Sequence, residues 1–207
     1  MRQNLWIKTF AVAMAFWPAA LALGAPRTVV IFGDSLTAGY GLDPAQAYPA
    51  LIQAKLRAAS LDYEVVNAGI SGDTTSGGLA RVDWSLRRPI DVFVLALGGN
   101  DGLRGVSLAE TRRNLAAVLA RVRARNPQVK LVVAGMQLPP NLGADYAAGF
   151  RAIFPDVARE AGAAFVPFLL EGVAGRPELN QADQIHPTAG GQERVAENVW
   201  MVLQPLL

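Results

Sequence analysis

Residues 28–35 read Thr-Val-Val-Ile-Phe-Gly-Asp-Ser: a solid apolar run, a glycine, then two polar side chains. A run of strand length without polar alternation predicts a strand buried on both faces, as in a parallel sheet covered by helices. Tyr63–Val66 reads as a second, short strand closed by Asn67-Ala68-Gly69, and the buried pattern recurs at Asp91–Leu97, closed by Gly98-Gly99-Asn100. It recurs again at Val129–Ala134 and, more weakly, at Ala164–Pro167. Helical periodicity fills the intervals. Tyr48–Ala59 carries Leu51, Ile52 and Leu56 on one face, and Leu79–Leu86 reads as a short helix. Ser107 and Glu110 have capping-box spacing at the head of a helix that ends near Asn126-Pro127. Ala144–Ala161 and Thr188–Leu203 complete the set. Strands alternating with helices assemble as right-handed βαβ units. The expectation is an α/β protein, a three-layer α/β/α sandwich of doubly wound type around a parallel five-stranded sheet.

Residues 1–25 stand apart. Arg2 and Lys8 precede an apolar segment that closes on Ala19-Ala20-Leu21-Ala22-Leu23-Gly24-Ala25. A basic start, a short apolar middle and a small-residue end predict a cleaved signal peptide, leaving one domain over residues 26–207 in the periplasm or outside the cell. The rival reading is a membrane anchor. The run from Phe10 to Leu23, broken by Pro18, falls short of the ~20 residues a spanning helix needs, so no stable membrane span is expected after cleavage.

Composition excludes several chemistries. The chain of 207 residues has no Cys and one His, which removes disulfides, Fe–S clusters, Cys-based zinc sites and any two-His metal site. Without Arg2 and Lys8, the 19 basic residues fall to 17, equal to the 17 acidic ones. No basic stripe or aromatic-interleaved patch argues for nucleic acid. Walker, dinucleotide and zincin motifs are missing, and Thr37 breaks the GxSxG pattern around Ser35.

Ligands of doubly wound sheets bind beyond the carboxyl ends of the strands. Four segments here deliver chemistry to that edge: Gly33-Asp34-Ser35, Ser71-Gly72-Asp73, Gly99-Asn100-Asp101, and Asp183-Gln184-Ile185-His186 before the last helix. Together they hold the parts for acyl transfer. Ser35 is the candidate nucleophile, against the alternative that it only caps a helix. His186 is the candidate base, and Asp183 at i−3 can fix its tautomer. Asn100 offers a side-chain amide to developing negative charge, and Gly72, lacking a Cβ, lets its N–H approach a substrate oxygen. Asp34, Asp73 and Asp101 read as carboxylates that hold these loops through backbone N–H groups, each a rival partner for His186 without the local spacing of Asp183.

The GDSL stretch Gly33–Leu36, Gly72 in ISGDT, Asn100 in GGND and the D-x-x-H of Asp183–His186 resemble, in order, the four blocks of the SGNH (GDSL) hydrolases. The longer strings GDSLTAGYGL, NAGISGDTT and LGGNDGLRG are similar to the bacterial periplasmic esterases among them, which act as acyl-CoA thioesterases, lysophospholipases and arylesterases. The resemblance implies a flavodoxin-like sheet, with Ser35 as nucleophile, His186 as base and Asp183 as its orienter. It makes the Ser35 and Gly72 N–H groups and the Asn100 side chain the oxyanion hole, with no metal and no cofactor. The expected partner is a small-molecule acyl ester or thioester, lysophospholipid included, acted on by a monomer. A carbohydrate O-deacetylase or an acyltransferase would use the same residues, whereas a non-catalytic carrier would need neither Ser35 nor His186.

Overall fold

A computed structural model describes residues 26–207, so the expected signal peptide lies outside the described residues. Five strands, β1 (Arg27–Gly33), β2 (Tyr63–Gly69), β3 (Val92–Ala96), β4 (Lys130–Ala134) and β5 (Ala164–Val166), form one sheet in the order β2-β1-β3-β4-β5. Every pairing is parallel. That is the flavodoxin-like order, in which the direction of strand addition reverses between β1 and β3. The helices are α1 (Ser35–Ala38), α2 (Tyr48–Ala58), α3 (Thr75–Ser85), α4 (Gly99–Leu103), α5 (Leu108–Arg125), α6 (Ala144–Ala161) and α7 (Ala189–Leu203). α2 packs with α7, while α5 packs between α3 and α6, giving the outer layers of the sandwich.

β1, β3 and β4 run through the core, and Val29, Ile31, Phe32, Phe93 and Val94 are fully or almost fully buried. β2 is less buried than these strands. It is an edge strand with Val66 exposed, and it extends beyond Val66 to Gly69 because residues 67–69 continue the ladder against Ile31–Gly33.

α3 begins at Thr75, four residues before the apolar pattern suggests, with the Thr74 hydroxyl accepting the Gly77 N–H. Gly77 and Gly78 conceal this helix in the sequence. At Gly78 a Cβ would meet Leu97 Cδ1 at 2.5 Å, so close helix–sheet packing requires the glycine. The capping box also moves. Ser107 accepts the Glu110 N–H as expected, but the reciprocal box forms at Asp43 and Gln46, around a short 3₁₀ turn after α1. Among the described residues no helix is long and apolar enough to cross a membrane.

Candidate active site

The site stands at the carboxyl edge of β1 and β3, on either side of the topological reversal. β1 ends at Gly33, and Asp34 turns the chain into α1. Asp34 Oδ1 accepts the Leu36 N–H at 3.0 Å, so Asp34 and not Ser35 caps this helix. Gly33 allows the tight turn, since a Cβ there would collide with Thr37 Oγ1 and with the Ala96 carbonyl of the neighbouring strand. Ser35 thus starts a helix with its hydroxyl unspent.

Across 151 residues of sequence, His186 Nε2 lies 2.9 Å from Ser35 Oγ. His186 Nδ1 lies 2.6 Å from Asp183 Oδ2, while Asp183 Oδ1 accepts the N–H groups of Ile185 and His186 at 2.9 and 3.0 Å. The His186 N–H bond, the imidazole and the Ile185 N–H bond together hold the Asp183 carboxyl at a pKa of about 2. The ionised carboxylate keeps a proton on Nδ1 and leaves Nε2 to accept from the Ser35 hydroxyl.

The oxyanion candidates divide. Ser35 and Asn100 line a cavity of about 520 Å³ together with His186, whereas Gly72 stands in the loop after β2 and is not among the lining residues. Gly72 has φ +78°, a left-handed conformation suited to glycine. The N–H groups of Ser35 and Gly72 have no acceptor among the described residues. Asn100 donates one amide hydrogen to the Asp73 carbonyl at 2.9 Å, which leaves the other available.

Asp73 Oδ1 accepts the Thr74 N–H, and Asp101 accepts from both the N–H and the hydroxyl of Thr75, so these carboxylates brace loops. Asp34 is different. It is buried at the cavity wall, and loss of hydration pushes its carboxyl up to about 7 against the lowering effect of the Leu36 N–H.

Three contributors escaped the sequence reading. Tyr40 sets its ring 4.5 Å from the His186 ring. Arg104, one helical turn after Asn100 and capping the end of α4, donates to the Gly72 carbonyl at 3.0 Å, so these two side chains grip consecutive carbonyls of the Gly72-Asp73 loop. Arg81 binds Asp73 and the ends of both β1 and β2. The i, i+4 spacing of Asn100 and Arg104 was the readable signal; the other two depend on tertiary contacts. Away from the triad, Met136, Leu138, Phe168, Leu170 and Ile185 give the cavity apolar walls.

The profile of the GDSL-like Lipase/Acylhydrolase family matches residues 31–194. The chain is 47% identical to Esterase TesA of Pseudomonas aeruginosa over 185 residues, covering 88% of this chain and 90% of that one. It is 39% identical to Thioesterase 1/protease 1/lysophospholipase L1 of Escherichia coli (strain K12), covering 96% and 91% respectively. A crystal structure of TesA superimposes with a TM-score of 0.84 at 46% identity, over 87% of this chain and all of that one.

Proposed function

Since the chain belongs to the GDSL-like lipase/acylhydrolase family, we propose that it is a serine esterase that hydrolyses carboxylic esters and thioesters through an acyl-enzyme on Ser35. The observation that carries this reading is the unbroken relay Asp183–His186–Ser35, with hydrogen-bond distances of 2.6 and 2.9 Å.

His186 Nε2 takes the Ser35 proton as Oγ attacks the acyl carbonyl carbon. The carbonyl oxygen becomes an oxyanion, stabilised by the N–H groups of Ser35 and Gly72 and the free amide hydrogen of Asn100. Asp183 steadies the imidazolium, which then protonates the departing alcohol or thiol. Water, activated by the same imidazole, releases the acid and restores Ser35. The acyl chain lies against Leu138, Phe168 and Leu170. These apolar walls favour a fatty acyl ester, thioester or lysophospholipid over an acetylated sugar. The reading extends to release into the periplasm or beyond the cell after loss of residues 1–25, on the strength of their basic, apolar and Ala-rich pattern.

Ser35→Ala tests the core of it. The variant is expected to fold and to lose hydrolysis of p-nitrophenyl butyrate and of a long-chain acyl-CoA; retained turnover removes Ser35 from the mechanism. Product analysis with acyl-CoA, lysophospholipid and acetylated sugar side by side separates the substrate classes, and cleavage of the sugar ester alone would replace this reading with a deacetylase. Chelators are expected to leave the rate unchanged.

A further inference from the structure

We infer that Gln181 is a positioning residue that holds His186 in register with Ser35; this rests on the Ser-His-Asp reading above. Asp183 fixes the imidazole within its own loop, but nothing in that turn sets the loop against the nucleophile, which comes from the far end of the sequence. Gln181 does so. Its backbone N–H donates to the His186 carbonyl at 2.7 Å. Its side-chain Nε2 donates to the Tyr40 carbonyl at 2.7 Å and to the Pro187 carbonyl at 3.0 Å. The Tyr40 N–H in turn donates to the Ser35 carbonyl at 3.1 Å.

These bonds close a circuit. It runs from the Ser35 backbone to Tyr40, through the Gln181 side chain and backbone to His186, and returns to Ser35 through the 2.9 Å contact of Nε2 with Oγ. The Tyr40 ring, carried by the same tie, leans on the imidazole. Gly41 makes room for the arrangement: it has φ +76°, and a Cβ there would lie 2.4 Å from Gln181 Oε1. Gln184, at φ +58°, sends its N–H and its Nε2 back to the Gln181 carbonyl, so both polar ends of the Gln181 backbone are engaged.

The coarse placement of the last helix has a separate anchor. Gln192 is buried and joins the Leu36 carbonyl to the Tyr48 N–H. Loss of Gln181 therefore loosens the histidine loop while leaving α7 in place. Loss of alignment between a base and its nucleophile slows the chemical step without weakening substrate binding.

The test is Gln181→Met, which keeps the length of the side chain and removes its donors. For p-nitrophenyl butyrate, kcat is expected to fall about tenfold, with KM within about twofold of the parent. Because His186 is the sole histidine in the chain, its ring resonances are directly identifiable by NMR, and they are expected to shift or broaden. Gln181→Glu provides a second variant of the same length that holds no donor at pH 8, and the same fall is expected if Gln181→Met folds poorly. Unchanged kcat and unchanged imidazole signals in a folded variant would overturn the proposal, as would a rise in KM at constant kcat. If Ser35→Ala is inactive while Gln181→Met is normal, only the positioning role fails; if Ser35→Ala stays active, the catalytic reading itself has failed.

Discussion

Asp34 takes the capping role that frees Ser35: its Oδ1 holds the Leu36 N–H at 3.0 Å while the Ser35 hydroxyl faces His186 Nε2 at 2.9 Å. Adjacent residues thus divide the work at the end of β1, Asp34 capping the helix and Ser35 meeting the imidazole. The division has a cost in charge, because the Asp34 carboxyl is buried where ionisation loses hydration, and its pKa rises from 3.8 to about 7.

That cost is measurable. Between pH 4 and 7 the folded protein holds a proton on Asp34 that the unfolded chain releases. Asp34 therefore makes stability fall as pH rises through this window, with no further loss above about pH 7. Asp34→Asn keeps an acceptor for the Leu36 N–H and removes the titration. It is expected to melt higher than the parent at pH 8 and close to it at pH 4; equal shifts at both pH values would contradict the assignment.

Asp183 has the opposite sign. Its carboxyl, lowered to about 2, contributes stability that is present above its unfolded value near 3.8 and is lost as pH falls towards 2. The side chain is more than a third exposed, so the effect on folding is small. The expected effect on chemistry is large. Asp183→Asn loses the charge that fixes the imidazole tautomer, and kcat at pH 8 is expected to drop by about 10⁴, as when other Ser-His-Asp triads lose this charge. Steady-state hydrolysis of p-nitrophenyl butyrate, with melting curves between pH 4 and 2, separates the two consequences.

Asn100→Ala removes one of the proposed oxyanion donors and the tie to the Asp73 carbonyl. The expected loss is about 10²–10³ in kcat, with KM little changed, because the interaction strengthens only as charge develops on the substrate oxygen. A loss confined to KM would assign Asn100 to ground-state binding.

Much of this was legible in the chain itself. Solid runs such as Val29–Phe32 and Val92–Leu97 can be buried only between two helical layers, and the polar residues that follow them must then gather at one edge. Asp183 and His186 were readable because their contact is local, at i, i+3. What stayed hidden depended on close approach. The two turns of helix bearing Ser35 and Asn100 are too short for any periodicity to show, and the glycines of α3 look like breakers until Leu97 is placed against them. Gln181 meets Tyr40, Tyr40 meets His186 and Arg81 meets Gly33 across long sequence separations, where no spacing rule applies.

Arg81 gives the sharpest test of how the edge is held together. Its Nε donates to Asp73 Oδ2 at 2.6 Å, Nη1 to the Ala68 carbonyl at 3.0 Å and Nη2 to the Gly33 carbonyl at 2.9 Å. The guanidinium also lies 3.9 Å from the centre of the Phe32 ring. One side chain thus binds the last turns of β1 and β2, which lead to Ser35 and Gly72. Both members of the Arg81–Asp73 pair are largely shielded from water, so removing the cation strands a carboxylate and two strand-end carbonyls. Arg81→Met is expected to lower unfolding free energy by about 3–5 kcal/mol, measured by urea denaturation. Arg81→Lys keeps the charge but not the planar three-way fork and is expected to fall between parent and Met variant. Adding Asp73→Asn to Arg81→Met removes the stranded charge and is expected to recover part of the loss. A double variant no more stable than Arg81→Met alone would mean that the two carbonyl bonds, and not the ion pair, carry the contribution of Arg81 to stability.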